Sequence, residues 1–386
     1  MDGTSTDKPL MSAPEGPRRG MSLRARVVTV AVAFVMALGL GAFVVYRYVI
    51  DNVDSAIPST DLLGPSVEVT PGAPAGSDII GPMDFLILGQ DTRVSSNSSP
   101  HADSIMIMHV NADLTHAYLT SLPRDLLVDV PAFAPSGSRA QHTKITNAMS
   151  LGAKVPGSSE WNMAQGFQLV SQAARGYTGI EDFDAGAVIG FGGLTDFIDE
   201  IGGIEIYVDH RVVSIHREPN GRHRTRCGSC SNGYGGPQMV YEVGMQRLNG
   251  WQTLDYARQR YGLPDGAYSR ERHHRQIIVA IIAQLYQQDL VLNPKAFREV
   301  LSTVGDGLVF DGRGRPPTDF GYALRNIGPE DITLIGLPGR SVYSDGAYMG
   351  EALNEALKNA YFQALRNDTL DQFVAANPTT VNGTGP

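Results

Sequence analysis

The sequence predicts a mixed α/β fold, a central sheet covered by helices, on three observations. Short apolar runs bounded by polar turns recur between residues 85 and 122, amphipathic segments at helical spacing follow, and the two kinds interleave along the chain. With 386 residues and 42% hydrophobic content, the chain has enough apolar side chain for one large core or two modest ones. Two cysteines cannot supply a disulfide framework, and 43 glycines without a period exclude a collagen-like repeat. Lysine and arginine number 31 against 40 acidic residues, a net charge of −9, so no whole-chain basic field recruits nucleic acid.

In chain order, residues 1–26 hold Pro, Gly, Ser and charge without an apolar period and read as a disordered cytoplasmic tail. Val27 to Tyr46 is 20 residues without a charge, about what a helix needs to cross the ~30 Å hydrocarbon core. Five basic residues precede it and only Arg47 follows closely, which places the N-terminus in the cytoplasm and the rest outside. A cleaved signal peptide is the alternative, but no convincing small-residue cleavage site follows the apolar run. The expectation is a single-pass anchor in the cell membrane with an extracytoplasmic domain. Residues 47–82 form a Pro/Gly/Ser-rich linker. Residues 47–386 carry 26 basic against 37 acidic side chains, so an anionic ligand there must be held by a local cluster of arginines.

Phe85–Leu88, Ile105–Met108 and Tyr118–Leu122 read as strands. Leu194, Phe197, Ile198 and Ile201 mark a helix closed by Gly202-Gly203, with a strand from Ile204 to Val208 beyond. Ile277, Ile278, Ile281, Ile282 and Leu285 mark a second helix, and Glu351 to Arg366 a third. Residues 83–375 are expected to form one unit, and 376–386 a disordered tail. Residues 209–240 read as a long exposed insertion. Within it, Cys227 and Cys230 (CGSC) are first read as a local disulfide, because thiols outside the membrane oxidise. A redox pair would want a strand and a helix as neighbours, and half a zinc site with His216 or His223 lacks a second Cys pair.

Short connections make the first three strands antiparallel neighbours. The end of the first, the start of the second and the end of the third then share one sheet edge. Those places hold Asp91 with Arg93, His101 with Asp103, and Arg124 with Asp125. Carboxylates with water and phosphate oxygens suit Mg²⁺ or Mn²⁺, and arginine forks match phosphate oxygens. Strand ends also commonly carry solvated Asp and Arg, so spacing alone leaves both readings open. Five arginines between 258 and 275 (Arg258, Arg260, Arg270, Arg272 and Arg275) precede the isoleucine-rich helix and crowd its N-terminal turn. Aromatics for base stacking are not interleaved with them.

FLILGQDTR (85–93), HADSIMIMHVN (101–111), SLPRDLLVDVP (121–131), KITNAMSLG (144–152), FGGLTDFIDEIGGIEIYV (191–208) and LNGWQTLDYARQR (248–260) together resemble, in order and spacing, the LytR-CpsA-Psr (LCP) family, with actinobacterial phrasing. The resemblance spans residues 83–290. It implies an α-β-α sandwich on one N-terminal anchor, and a phosphotransferase that moves a cell-wall glycopolymer from a polyprenyl-pyrophosphate carrier to peptidoglycan. It further implies a divalent metal, Mg²⁺ or Mn²⁺, on Asp91 and Asp103, and a pyrophosphate on Arg93, Arg124, Arg258, Arg260 and Arg270. Arg272 and Gln276 are added as further pyrophosphate contacts, with Asp125 completing the PRD motif. Departures are His101-Ala102 where the family has Arg-Ser, and Ala267 and Ser269 where it has acids. Asp265 is the candidate to replace the missing carboxylate, and Asp91 or Asp125 the candidate general base. Ile277 and Ile281 either line a lipid groove or fill the core. A pyrophosphatase and a non-catalytic lipid-binding scaffold are the competing functions.

Overall fold

The computed structural model describes residues 60–64, 76–90, 99–230, 232–288 and 307–382. The chain divides into two compact units, Met1–Val49 and Ile50–Pro386, and all the described residues belong to the second. The expected tail 1–26 and membrane span 27–46 lie outside the described residues, among which no helix is long and apolar enough to cross a membrane.

Strands β1 (Met83–Gln90), β2 (Ser104–Val110) and β3 (Ala117–Leu122) form an antiparallel meander, as their short connections require. A hairpin of β4 (Leu127–Val130) and β5 (Gln141–Lys144) follows. Helices α1 (Thr146–Ala153) and α2 (Met163–Thr178) lead back to β6 (Ala185–Gly190), which lies parallel to β1. Next come α3 (Phe191–Glu200), β7 (Ile204–Val208), and the short β8 (Val212–Val213) and β9 (Val240–Tyr241), which pair with each other. Strand β10 (Gly244–Leu248) pairs with β7 and feeds α4 (Gly250–Arg258) and α5 (Ala267–Gln287). Strand β11 (Leu308–Asp311), α6 (Pro317–Ala323) and β12 (Ile332–Ile335) complete the main sheet. A hairpin of β13 (Gly339–Ser344) and β14 (Ala347–Leu353), then α7 (Glu355–Arg366) and α8 (Leu370–Ala376), close the chain. The six-stranded mixed sheet has the order β11-β6-β1-β2-β3-β12.

Both faces of that sheet are covered, and the alternation within each strand shows how. Leu86, Leu88, Ile105, Ile107 and Leu122 pack with Phe167, Leu169 and Val170 of α2 and Tyr361, Phe362 and Leu365 of α7. Their neighbours Phe85, Met106 and Leu119 turn to the other face, against Val279 of α5 and Phe320 of α6. Strands buried on both sides read as unbroken apolar runs, which is why the sequence shows them plainly.

Three expectations need correction, and one open alternative is decided. Glu351–Leu353 belongs to β14, and α7 starts at Glu355, where the Asn354 side chain accepts the Leu357 N–H and caps it. The linker is part of the domain where it is described: Leu62 is in the core, and the Leu62 and Leu63 amides donate to Asp311. Residues 376–382 are no disordered tail, since Val381 bridges to Ile335 and Asn382 donates its N–H to Leu334. Ile277 and Ile281 fill a core cluster with Phe197, Ile198, Ile204 and Ile206 and do not line a groove.

Candidate functional site

The site forms where the ends of β1 and β3 meet the start of β2. The Asp103 N–H donates to the Gly89 carbonyl at 2.8 Å, which holds the β1–β2 connection against the sheet edge. The Thr146 hydroxyl donates to the Ala102 carbonyl at 2.8 Å and fixes the same turn from below. Arg124, just past β3, forms an ion pair with Asp103. Two of the three motifs placed at one edge from sequence, those of Asp103 and of Arg124, thus meet there. Asp91 and Arg93 lie outside the described residues.

The other wall comes from α4 and α5. Asn249 and Gln252 form a capping box at the start of α4, and a Cβ at Gly250 would collide with the Thr195 carbonyl oxygen. The Gly250 N–H also donates to Asp199 at 2.7 Å. The helix is therefore seated tightly on α3, and its last residue, Arg258, is delivered to the sheet edge. Together these elements enclose a cavity of about 410 Å³ whose walls include Asp103, Arg124, Arg258, Arg260, Arg270 and His274. Four guanidiniums face one carboxylate there. A field of that sign, in a chain of net charge −9, calls for an anionic ligand.

Helix α5 begins at Ala267, so Arg270, Arg272 and Arg275 lie within it and do not precede it. Their fates follow helical geometry. Arg270 reaches the cavity and donates to buried Glu271 at 3.0 Å. Burial alone would raise the Glu271 carboxyl, but contact with His274 and the charge of Arg270 outweigh it and hold the pKa below its ordinary value. Arg272 points elsewhere and pairs with Asp209 at 2.6 Å, beyond the end of β7. Arg275 is buried, hydrogen-bonded to Asn382, and its pKa is lowered by burial to about 10. His273 stacks on Tyr256 at 4.1 Å and is kept neutral, burial taking its pKa down to about 3.

Two expected contacts are therefore not brought to the cavity, Arg272 and Gln276. Gln276 is buried six residues after Arg270, on another side of α5. The residue that sequence reasoning missed is His274, four residues after Arg270 and so on the same face. Its Nε2 donates to the Ala257 carbonyl at 2.9 Å, and its Nδ1 lies 3.0 Å from the Ser104 hydroxyl. It joins α4, α5 and β2 at the floor of the site. The i, i+4 spacing was the available signal.

The remaining candidates sit nearby without lining this cavity. Asp125 is directed to Lys144 at 3.7 Å and Tyr348 at 3.5 Å. Asp265 lines a separate cavity of about 380 Å³ with Tyr268, Arg272 and Arg275, so it does not replace the missing carboxylate. His101 is 2.9 Å from the Ser99 carbonyl through Nδ1. Cys227 and Cys230 are joined as a disulfide.

For a divalent ion, the described residues provide Asp103, a hard oxygen donor that suits Mg²⁺ or Mn²⁺. The fit is one of donor chemistry: among the described residues no group of three or more His, Cys, Asp or Glu gathers as a metal set, and the second expected ligand is Asp91.

Residues 66–366 match the model of the LytR_cpsA_psr family. The chain belongs to that family. Over 75% of its length it is 23% identical to the biofilm regulatory protein A of Streptococcus mutans, of which it covers 62%. Over 66% it is 24% identical to an Enterococcus faecalis protein, the polyisoprenyl-teichoic acid–peptidoglycan teichoic acid transferase TagU, of which it covers 71%. The chain thus spans less than two thirds of the length of the first of these LytR_cpsA_psr relatives. The crystal structure of protein gbs0355 from Streptococcus agalactiae shares the fold with a TM-score of 0.57 and 20% identity, covering 75% of this chain and 88% of that one.

Proposed function

We propose that this protein transfers an anionic glycopolymer from a polyprenyl-pyrophosphate carrier to peptidoglycan. The observation that carries the reading is the cavity in which Arg124, Arg258, Arg260 and Arg270 surround Asp103. Guanidinium forks match the oxygens of a pyrophosphate in number and geometry. The naming of a LytR_cpsA_psr relative as a teichoic acid transferase supports the same chemistry.

A peptidoglycan hydroxyl attacks the phosphorus nearer the glycan. A new P–O bond forms, the bond to the bridging oxygen breaks, and polyprenyl phosphate departs with that electron pair. The proton goes to Asp91 or Asp125, the two carboxylates proposed as base, of which Asp125 lies near Lys144 and Tyr348. The arginines hold the pyrophosphate and stabilise charge that develops on the leaving phosphate. Asp91 and Asp103 would hold Mg²⁺ or Mn²⁺, which supplies charge neutralisation at the pyrophosphate when bound. His274 and Glu271 fix the α5 wall. Residues 27–46 anchor the chain in the cell membrane, N-terminus inside, and the domain works outside next to its lipid-linked donor.

The test is product analysis with purified full-length protein, a polyprenyl-pyrophosphate-linked glycan and Mg²⁺ or Mn²⁺, with and without peptidoglycan. The reading expects glycan on peptidoglycan and polyprenyl phosphate released, both lost in Asp103→Ala. Equal release of free glycan phosphate without peptidoglycan identifies a pyrophosphatase instead. Tight lipid binding with no turnover identifies a scaffold.

A further inference from the structure

The insertion between β8 and β9 is not simply exposed chain. It encloses a third cavity, of about 360 Å³, a size that accommodates a small ligand (such pockets run roughly 300–1,000 Å³). Its walls carry Arg217, Arg224, Arg226 and Arg258 against a single carboxylate, Asp255. Asp255 already accepts from the Ser214 and Tyr241 hydroxyls and the Gln259 amide. Two of the arginines clamp the loop. Arg224 donates to the carbonyls of Ile215, Tyr234 and Gly236, and Arg217 to that of Gly221. Carbonyl acceptors orient the Arg224 guanidinium without cancelling its charge. Clamping a loop does not require four cations around one cavity, and their mutual repulsion is relieved when an anion enters.

The position of this cavity says what kind of anion. His216 and Arg258 line it and also line the cavity at the sheet edge. A ligand whose pyrophosphate lies among Arg124, Arg258 and Arg270 therefore presents its next chemical group to the insertion. We infer that the insertion cavity is a subsite for an oxyanion, phosphate or carboxylate, borne on a glycan adjacent to the pyrophosphate. The inference rests on the pyrophosphate reading of the first cavity and adds selection for an anionic saccharide. Both the polymer being moved and the stem peptides of peptidoglycan carry such groups, and the two are separated by experiment.

Arg226 is the residue to change, because its side chain is exposed and its loss removes charge without opening a core. Full-length wild type, Arg226→Ala and Arg226→Glu are titrated calorimetrically in Mg²⁺ buffer. The probes are inorganic pyrophosphate, a short glycerol-phosphate oligomer, a carboxylate-bearing muropeptide and a neutral oligosaccharide. The expected result is roughly tenfold weaker binding of one anionic probe by Arg226→Ala, the scale of one charge-assisted hydrogen bond, and more by Arg226→Glu. Pyrophosphate binding stays as in wild type. Loss confined to the phosphate oligomer assigns the subsite to the donor, and loss confined to the muropeptide assigns it to the acceptor. Unchanged binding of both anionic probes, or equal loss for the neutral one, overturns the inference while the pyrophosphate reading stands. Failure of wild type to bind pyrophosphate removes both, and is recognised by that failure alone.

Discussion

At the start of β2, Asp103 is the one carboxylate lining a cavity with four arginines. Near the other end of the same strand, buried His109 lies 2.8 Å from Asp84 of β1 and 3.1 Å from Asp368 beyond α7. Asp368 also accepts the Ala112 N–H. The second cluster contains its own counter-charges, and each ring nitrogen has a partner. The first holds more arginines than carboxylates among the described residues, even with Asp103 paired to Arg124 and Glu271 to Arg270. Saturated clusters hold a fold together; surplus clusters await a ligand. Variants at the two ends should therefore fail in different ways.

The largest effect belongs to the surplus end. Arg124→Ala and Arg270→Ala are each expected to reduce turnover by ~10²–10³, the cost of removing one charge-stabilising donor. Thermal unfolding should change little in Arg124→Ala, whose side chain is partly exposed, whereas Arg270→Ala also leaves buried Glu271 without its ion pair and should lower the melting temperature. Arg→Lys should restore turnover only in part, because an ammonium cannot reproduce the bidentate fork. Arg272→Ala is the internal control: it sits two residues from Arg270 but pairs with Asp209. If Arg272→Ala weakens pyrophosphate binding as much as Arg270→Ala does, the division of α5 into a ligand face and a packing face is wrong.

That division also marks how far the sequence could be read. The three strands and the β1–β2–β3 edge were legible, since apolar runs of strand length and short connections admit few arrangements. The start of α5 was not. Its first three turns bury Arg270, Glu271, His273, His274 and Arg275, and a helix with a charged buried face has no apolar period. The same blindness hid His274, whereas Gln276 came from the resemblance alone. The insertion looked exposed because Gly, Arg and Ser dominate it, although Arg224 is buried at its centre. No local pattern announces a guanidinium that serves as a core for backbone carbonyls.

The balanced end makes the second prediction. Burial pushes the His109 pKa down, but hydrogen bonds and charges from Asp84 and then Asp368 outweigh it, so the value is raised above 6.5. A raised folded-state value means that protonated His109 stabilises the fold. This contribution is fully present below about pH 6.5, the unfolded value, and is lost as pH rises through the folded one. His109→Ala should cost about 2 kcal/mol at pH 6, a partly solvated version of breaking a buried pair. The penalty should shrink by pH 9. Denaturant melts of wild type and variant across that range check it, and a penalty that grows with pH would reverse the assignment. Turnover of the folded variant at low temperature should match wild type, because His109 is remote from the cavity along β2.

The smallest effect tests whether holding and binding separate even where they share a helix. Asn249 caps α4, accepting the Gln252 N–H at 3.1 Å while the Gln252 side chain accepts the Asn249 N–H at 3.0 Å. Helix α4 carries Arg258 at its far end, nine residues on. Asn249→Ala removes one half of this reciprocal pair and should cost about 1 kcal/mol of stability. The cap is neutral and faces solvent, so it adds nothing to the field in the cavity. Gly250, packed on the Thr195 carbonyl, and its N–H bond to Asp199 still seat the helix. Pyrophosphate affinity measured well below the melting temperature should therefore equal that of wild type. If affinity falls while the protein remains folded, the position of Arg258 depends on the cap, and α4 transmits stability to the site instead of merely presenting a side chain to it.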